Sequence, residues 1–372
     1  MTLHYKNQLE KRRNQNLFRT LKSNGVGLDF SSNDYLSLHQ DPVWRNYLKD
    51  QIPEELWLES SPSSRLIAGN SSQKEAIEAW FAEFFKDESA LFFPSGYAAN
   101  QSVISTIASK TDTIIYDQYC HASIREALQL SPAKCLKFRH NDVEDLERLL
   151  IKTKGQVYVV VESLYSMDGD FCPLKSIVEL CKKHKGLLIV DEAHTTGLYG
   201  DKGEGFCVEL GLEKEIFCRI MTFGKAVACH GAVVLGPTDF RSFLINFARP
   251  FIYSTSPPIL SFMKAQKSLD CISKHPEWRA NLQENASYLA QCLGIQSKET
   301  NPFQSPIIPF LDTDFQKLKE FERQLEKQHI FVKAIGSPTI PKGEERLRFS
   351  IQRQHTSSDL ELLAGLVNDV FV

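Results

Sequence analysis

Lys225 lies in the stretch Thr222-Phe223-Gly224-Lys225-Ala226, after the apolar run 216–221 and ahead of Gly231-Ala232-Val233-Val234-Leu235-Gly236. Burial disfavours an ammonium, so a lysine held between buried strand ends has a lowered pKa and becomes an amine nucleophile able to form a Schiff base. Taken alone, a lysine in such a place more often reaches solvent. Its company upstream changes that balance. Asp191-Glu192-Ala193-His194 follows the apolar run 187–190, so a carboxylate stands at a strand tip with an imidazole three residues on. The carboxylate could hold the N–H of a pyridinium ring and His194 could donate to a ring oxygen. A Walker-B-like acidic strand end or a helix N-cap reads from the same letters, although no G-x-x-x-x-G-K-[ST] accompanies it. Phe93-Pro94-Ser95-Gly96-Tyr97-Ala98-Ala99-Asn100 reads as strand, tight turn and helix start, which aims free backbone N–H groups at an anion such as a phosphate. A glycine used only for the turn is the plainer alternative. His121, after Tyr116-Asp117, could lie over a flat ring or serve as a cap or surface residue. The loop Glu162 to Asp170 carries several polar donors and can mimic a metal site; with Gly169 as a turn and Pro173 opening the next helix it reads as a shaped wall of an active site.

These residues need a scaffold, and the chain between them supplies one. From residue 73 onward helical patterns alternate with short apolar runs: helix 73–85, strand 89–93, helix 97–108, strand 113–117, helix 121–130, strand 157–161, helix 173–184 and strand 187–190, followed by the runs flanking Lys225. Short, nearly all-apolar strands separated by helices predict a parallel sheet buried on both faces. Ligands collect at the carboxyl ends of such strands, which is where the polar residues above fall. Beyond Ser256-Pro257-Pro258 the order loosens: helices 259–273 and 277–293, strand 306–310, helix 314–328, strands 330–332 and 346–352, and helix 357–370 predict an α+β second domain. Ahead of the sheet, residues 5–21 space Leu9, Arg12, Arg13, Leu17 and Leu21 as a basic amphipathic helix would, either an arm packed on something else or a solvated helix. The expected division is an arm over 1–40, a large domain over 41–258 and a small one over 259–372.

With 372 residues, two domains are the natural expectation. A net charge of -3 gives no general attraction to nucleic acid or to an anionic membrane, so an anionic ligand must be held by local groups. Nine scattered cysteines without a C-x-x-C pair read as reduced thiols, not a disulfide frame or zinc site, and favour the cytoplasm. The polar, basic N-terminus lacks an apolar targeting segment, and no apolar run approaches membrane-spanning length.

In combination, Phe93-x-Ser95-Gly96-Tyr97-x-x-Asn100, His121-Ala122-Ser123, Glu162-Ser163-x-x-Ser166-Met167-Asp168-Gly169, Asp191-Glu192-Ala193-His194-x-x-Gly197, Thr222-x-x-Lys225-Ala226 and Arg346-Leu347-Arg348 resemble the α-oxoamine synthase family in order and spacing. The resemblance implies fold type I pyridoxal-phosphate architecture: a large α/β domain with a mostly parallel sheet, a smaller α+β C-terminal domain, and a homodimer with shared active sites. It implies that Lys225 forms the Schiff base with pyridoxal 5'-phosphate and later moves the α-proton of an amino acid. Asp191 would pair with the ring nitrogen, His194 and Ser166 would contact the ring hydroxyl, and His121 would stack on the ring and meet substrate. Gly96, Tyr97 and Thr222 would seat the phosphate, Thr255 would reach the partner subunit's phosphate, and Arg348 would grip the amino-acid carboxylate. Two stretches depart from the family's glycine-rich pattern, Ala226-Val227-Ala228-Cys229-His230 after the lysine and Ser60-Ser61-Pro62-Ser63-Ser64-Arg65.

The family's branches differ in amino acid and acyl thioester: alanine with pimeloyl, glycine with acetyl or succinyl, serine with long acyl chains. Leu9-x-x-Arg12-Arg13-x-x-x-x-x-Arg19 resembles the arm of the alanine and pimeloyl branch, which serves biotin biosynthesis, and there Arg19 and Thr339 match substrate-contacting positions. The resemblance therefore implies decarboxylative condensation of L-alanine with pimeloyl-CoA or a pimeloyl-carrier protein. An aminotransferase or lyase of the same fold, or a non-catalytic subunit, are the rival readings.

Overall fold

The structure is a computed structural model that describes residues 3–15, 17–21, 25–295 and 304–371. In chain order its strands are β1 (Leu28–Asp29), β2 (Ser89–Phe93), β3 (Thr113–Asp117), β4 (Lys134–Phe138), β5 (Val157–Glu162), β6 (Leu187–Asp191), β7 (Cys218–Thr222), β8 (Ala232–Gly236), β9 (Ile307–Leu311), β10 (Ile330–Phe331), β11 (Lys333–Ile335) and β12 (Arg346–Ser350). β2 to β8 form one seven-stranded sheet in the order β2-β8-β7-β6-β5-β3-β4. Successive side chains of a strand point to opposite faces, and here both faces are buried. Phe93, Ile114, Val160, Ile189 and Val234 join one core, while Phe92, Ile115, Val159, Val190 and Val233 join the other. Each such side chain contributes about 1.5–3 kcal/mol when fully buried. That is why the strands read as continuous apolar runs.

The sheet is mostly parallel, as expected, with one exception: β8 runs antiparallel to both of its neighbours, β7 and β2. Only residues 223–231 separate β7 from β8, too few for the crossover of about a dozen residues that a parallel pair needs. Two further elements, β4 and the helix Val143–Lys152, lie in a stretch where no element was expected. β4 is the edge strand, with Lys134 and Lys137 exposed, so it carries no continuous apolar run.

Helices begin where side chains can cap them. Ser71 accepts from Lys74 N–H ahead of the helix Ser72–Phe84, and Asp41 accepts from Trp44 N–H ahead of Pro42–Gln51. The small sheet β11-β12-β9 is antiparallel and packs with the helices Pro276–Cys292, Phe315–Lys327 and Ser357–Phe371. The segment after the arm joins it: β1 pairs with β10, Phe30 N–H donates to the Phe331 carbonyl, and Arg353 N–H donates to the Tyr35 carbonyl. The arm helix is shorter than expected, His4–Asn14, and buries no residue. Leu17 and Leu21 fall beyond its end, so no apolar stripe is left to hold it against the protein.

Candidate active site

Every parallel strand of the large sheet delivers its carboxyl end to the same side, and a cavity of about 330 Å³ opens there. Its wall includes Gly96, Tyr97, His121, Asp191, His194, Thr222 and Lys225, so seven of the residues singled out from sequence come together. Lys225 is carried by the β7–β8 connection. Phe223 anchors that connection in the core, its ring stacked on Phe81 at 5.2 Å, and its N–H donates to the Gly231 carbonyl. Ala228 N–H and Cys229 N–H then close the turn onto the carbonyls of Lys225 and Phe223. Ala228 adopts φ +52°, a left-handed conformation that costs a residue with a Cβ roughly 1–2 kcal/mol. The glycine-poor stretch after the lysine thus keeps the shape that glycine would adopt without strain.

Burial pulls the Lys225 amine down to about 8, against the pull of Asp191 and Glu162 in the other direction. Burial likewise lifts the Glu162 carboxyl to about 8, with Asp191 adding to it, while His121 N–H donates to its Oε1. Asp191 ends β6, nine-tenths buried; its Oδ1 accepts from Ala193 N–H at 2.9 Å and its Oδ2 from Asn100 Nδ2 at 2.7 Å. From Asn100 the chain of bonds continues to Ser123 Oγ at 3.1 Å and on to His121 Nδ1 at 2.9 Å. Ser123 N–H also donates to His121 Nδ1, so that nitrogen is an acceptor and the ring's proton sits on Nε2. Burial and the nearby Lys225, Arg348 and His121 hold His194 well below its ordinary value, so it is neutral.

At the other end of the cavity Ser95 caps the helix Gly96–Thr106 by accepting from Ala98 N–H. The first N–H groups of a helix have no partner within it, and the helix end carries partial positive charge. A Cβ at Gly96 would stand 2.5 Å from Thr222 Cγ2, so only glycine leaves this cradle open. An amine, a buried carboxylate, two imidazoles and a helix N-terminus fit pyridoxal phosphate: amine for aldehyde, carboxylate for ring nitrogen, helix end for phosphate.

The remaining expected residues lie elsewhere. Ser166 and Thr339 line a second, smaller cavity with Tyr119, Arg125 and Met167. Arg348 is buried, and its Nε, Nη1 and Nη2 donate to the Ser166 carbonyl, Ser350 Oγ and Asn33 Oδ1 at 2.6, 2.6 and 3.0 Å. Among the described residues no carboxylate pairs with it. Asn33 itself lines the larger cavity. Thr255 is exposed, bridged to Ser64, and Arg19 is exposed in the arm; neither lines the cavity. Sequence reasoning gave no site role to Asn33, Tyr35, Asn100 and Ser123, and it placed Glu162 in an active-site wall without an individual role. Glu162 had a usable signal, a carboxylate at the tip of an apolar strand; Asn33 and Tyr35 had none, because their partners are more than 150 residues away.

Residues 26–366 match the family described as aminotransferase class I and II. The 8-amino-7-oxononanoate synthase of Photobacterium profundum is 37% identical over 381 residues, covering 98% of this chain and 96% of that protein. Among solved structures, Sphingomonas wittichii serine palmitoyltransferase superposes with a TM-score of 0.85 at 30% identity, covering 92% of this chain and 87% of its own. A serine palmitoyltransferase from S. paucimobilis with bound pyridoxal phosphate and myriocin reaches a TM-score of 0.87 at 27% identity, covering 98% and 96%. The chain belongs to the aminotransferase class I and II family, within it to the pyridoxal-phosphate-dependent α-oxoamine synthases, and has their fold type I architecture. It is a pyridoxal-phosphate-dependent acyltransferase.

Proposed function

We propose that this protein is an 8-amino-7-oxononanoate synthase, condensing L-alanine with a pimeloyl thioester, with loss of carbon dioxide and the thiol, in biotin biosynthesis. The observation that carries the choice of branch is end-to-end similarity to the Photobacterium profundum enzyme of that name. When bound, pyridoxal phosphate supplies an electron sink for a carbanion at the amino acid's α-carbon. The chain's residues do the rest. Lys225 would hold the cofactor through its amine and, when free, would take and return the α-proton, a role suited to an amine that burial pulls down to about 8. Asp191 would keep the ring nitrogen protonated, His194 would donate to the ring hydroxyl together with Ser166 from the wall of the neighbouring smaller cavity, and His121 would cover the ring and meet substrate. Gly96, Tyr97 and Thr222 seat the phosphate. Arg348 would give the amino-acid carboxylate a charge-assisted contact through the second N–H of Nη1 or Nη2, in keeping with the absence of a carboxylate partner on that guanidinium among the described residues. Arg19 and Thr339 meet the acyl substrate.

The protein acts as a cytoplasmic homodimer, with Thr255 reaching the partner subunit's phosphate. The exposed, unburied arm and the exposed Thr255 are in keeping with surfaces that a second subunit covers. Among the described residues no helix is long and apolar enough to cross a membrane. Likeness to serine palmitoyltransferases supports a second reading, serine with a long acyl chain. Purified protein given alanine, glycine or serine with acetyl, pimeloyl and palmitoyl thioesters decides between them by product mass. Alanine with pimeloyl is expected to give the fastest condensation, and faster turnover of serine with palmitoyl would replace this reading with the second.

A further inference from the structure

We propose that Tyr35 is a positioning residue that holds His194 in the tautomer with its proton on Nε2, so that the ring presents an N–H donor to the cavity. Tyr35 is fully buried and its hydroxyl lies 2.7 Å from His194 Nδ1 and 3.2 Å from Asn33 Oδ1. A phenol has one proton to give. His194 Nδ1 is the nearer of the two, and Asn33 Oδ1 keeps a donor in Arg348 Nη2 at 3.0 Å when the phenol turns to the histidine. His194 is neutral and therefore carries a single N–H. With Tyr35 donating to Nδ1, that N–H is on Nε2. Among the described residues no protein acceptor takes it, and the ring lines the cavity. Burial lifts the Tyr35 phenol to about 12, outweighing Arg348, so it stays a donor across the working pH range.

The placement of Tyr35 adds a second point. It comes from the segment that pairs with the C-terminal domain, its carbonyl taken by Arg353 N–H, whereas His194 follows β6 of the large sheet. The bond therefore lets the docking of the two parts set the hydrogen-bond character of a group in the cavity. An N–H opposite the cofactor's ring oxygen draws charge from it and lowers the basicity of the lysine nitrogen joined to that ring. The inference rests on the cofactor assignment within the proposed function and not on the choice of substrates.

Histidine labelled with 15N in the holoenzyme tests it directly, with the His194 signals assigned by their loss in His194→Gln. A pyridine-type Nδ1 and a pyrrole-type Nε2 are expected; a proton on Nδ1 would mean that Tyr35 donates to Asn33 instead and overturns the proposal. Tyr35→Phe provides a second reading. Without the phenol proton the ring is free to exchange tautomers, and the pH midpoint of the holoenzyme's visible band should rise by about one to two units, the worth of one charged hydrogen bond. A folded Tyr35→Phe protein with unchanged midpoint and unchanged tautomer also overturns it. Neither measurement uses an amino acid or a thioester, so an error in the substrate assignment leaves both outcomes intact.

Discussion

Two clusters of buried ionisable groups, one with Glu162 at the end of β5 and Lys225 after β7, the other around Asp117 at the end of β3 and His140 after β4, behave in opposite ways. In the cavity, Lys225 is pulled down to about 8 and Glu162 lifted to about 8, because burial outweighs incomplete pairing. A few residues away His140 is clamped between Asp117 and Asp170, its Nδ1 and Nε2 each 2.9 Å from a carboxylate oxygen, stacked on Tyr119 and edge-on to Tyr165. Both ring nitrogens face acceptors, so both carry protons. Burial alone would lower this imidazole, yet the two carboxylates lift it to about 10. Burial of a charge thus makes a reactive group only where its partner is withheld; where partners are supplied it makes a clamp. The clamp joins the β3 end leading to His121 with the loop carrying Ser166.

The comparison can be broken at several strengths. Lys225→Ala should lower turnover by several orders of magnitude and abolish the visible band of the holoenzyme, since both need the amine. Product formation at the parental rate would remove Lys225 from the chemistry. Asp191→Asn should lower kcat about 10²–10³-fold with little change in the alanine KM, because its charge matters most as the carbanion develops. A raised KM at constant kcat would reassign Asp191 to binding. Arg348→Ala should raise the alanine KM about 10 to 150-fold, the worth of one charge-assisted contact. Arg19→Ala should spare that KM and raise the one for the pimeloyl thioester, and equal weakening of charged and uncharged acyl chains would mean that the arm reads something other than the far carboxylate.

The clamp gives a test on stability in place of rate. A histidine whose pKa rises from 6.5 unfolded to about 10 folded contributes fully below pH 6.5, and its contribution is lost as the pH climbs through 10. His140→Gln should therefore cost about 3 kcal/mol near pH 6, from two carboxylates left without their cation, and much less near pH 10. Urea midpoints at the two pH values read this directly. A pH-independent loss would mean packing alone. The smallest effect belongs to Ala228→Gly, which removes the left-handed strain beside Lys225 and should change stability by no more than about 1 kcal/mol, towards greater stability. A clear loss of stability would show that the Ala228 methyl packs usefully.

Legibility followed the same divide. Lys225, Asp191, His194 and His121 were readable because each follows a buried apolar run, and burial on both faces makes such runs conspicuous. Strand direction was not readable, since the apolar pattern of β8 is the same whichever way it runs. β4 was missed because one edge is open to water and its lysines interrupt the run. Asn33 and Tyr35 reach the site through the pairing of the N-terminal segment with β10 and Arg353, contacts that no local spacing encodes.

The reversed strand β8 also limits how the gene can vary. The connection carrying Lys225 is pinned at both ends, with Thr222 opposite Ala232 in the ladder and Phe223 clasped to Gly231. One residue inserted between Lys225 and Gly231 could not be absorbed by sliding β8, because a single-step slip would turn Val233 and Leu235 out of one core and Ala232 and Val234 out of the other. Insertions and deletions should accumulate in the exposed loops on the opposite rim, while this short connection keeps its length as its letters change.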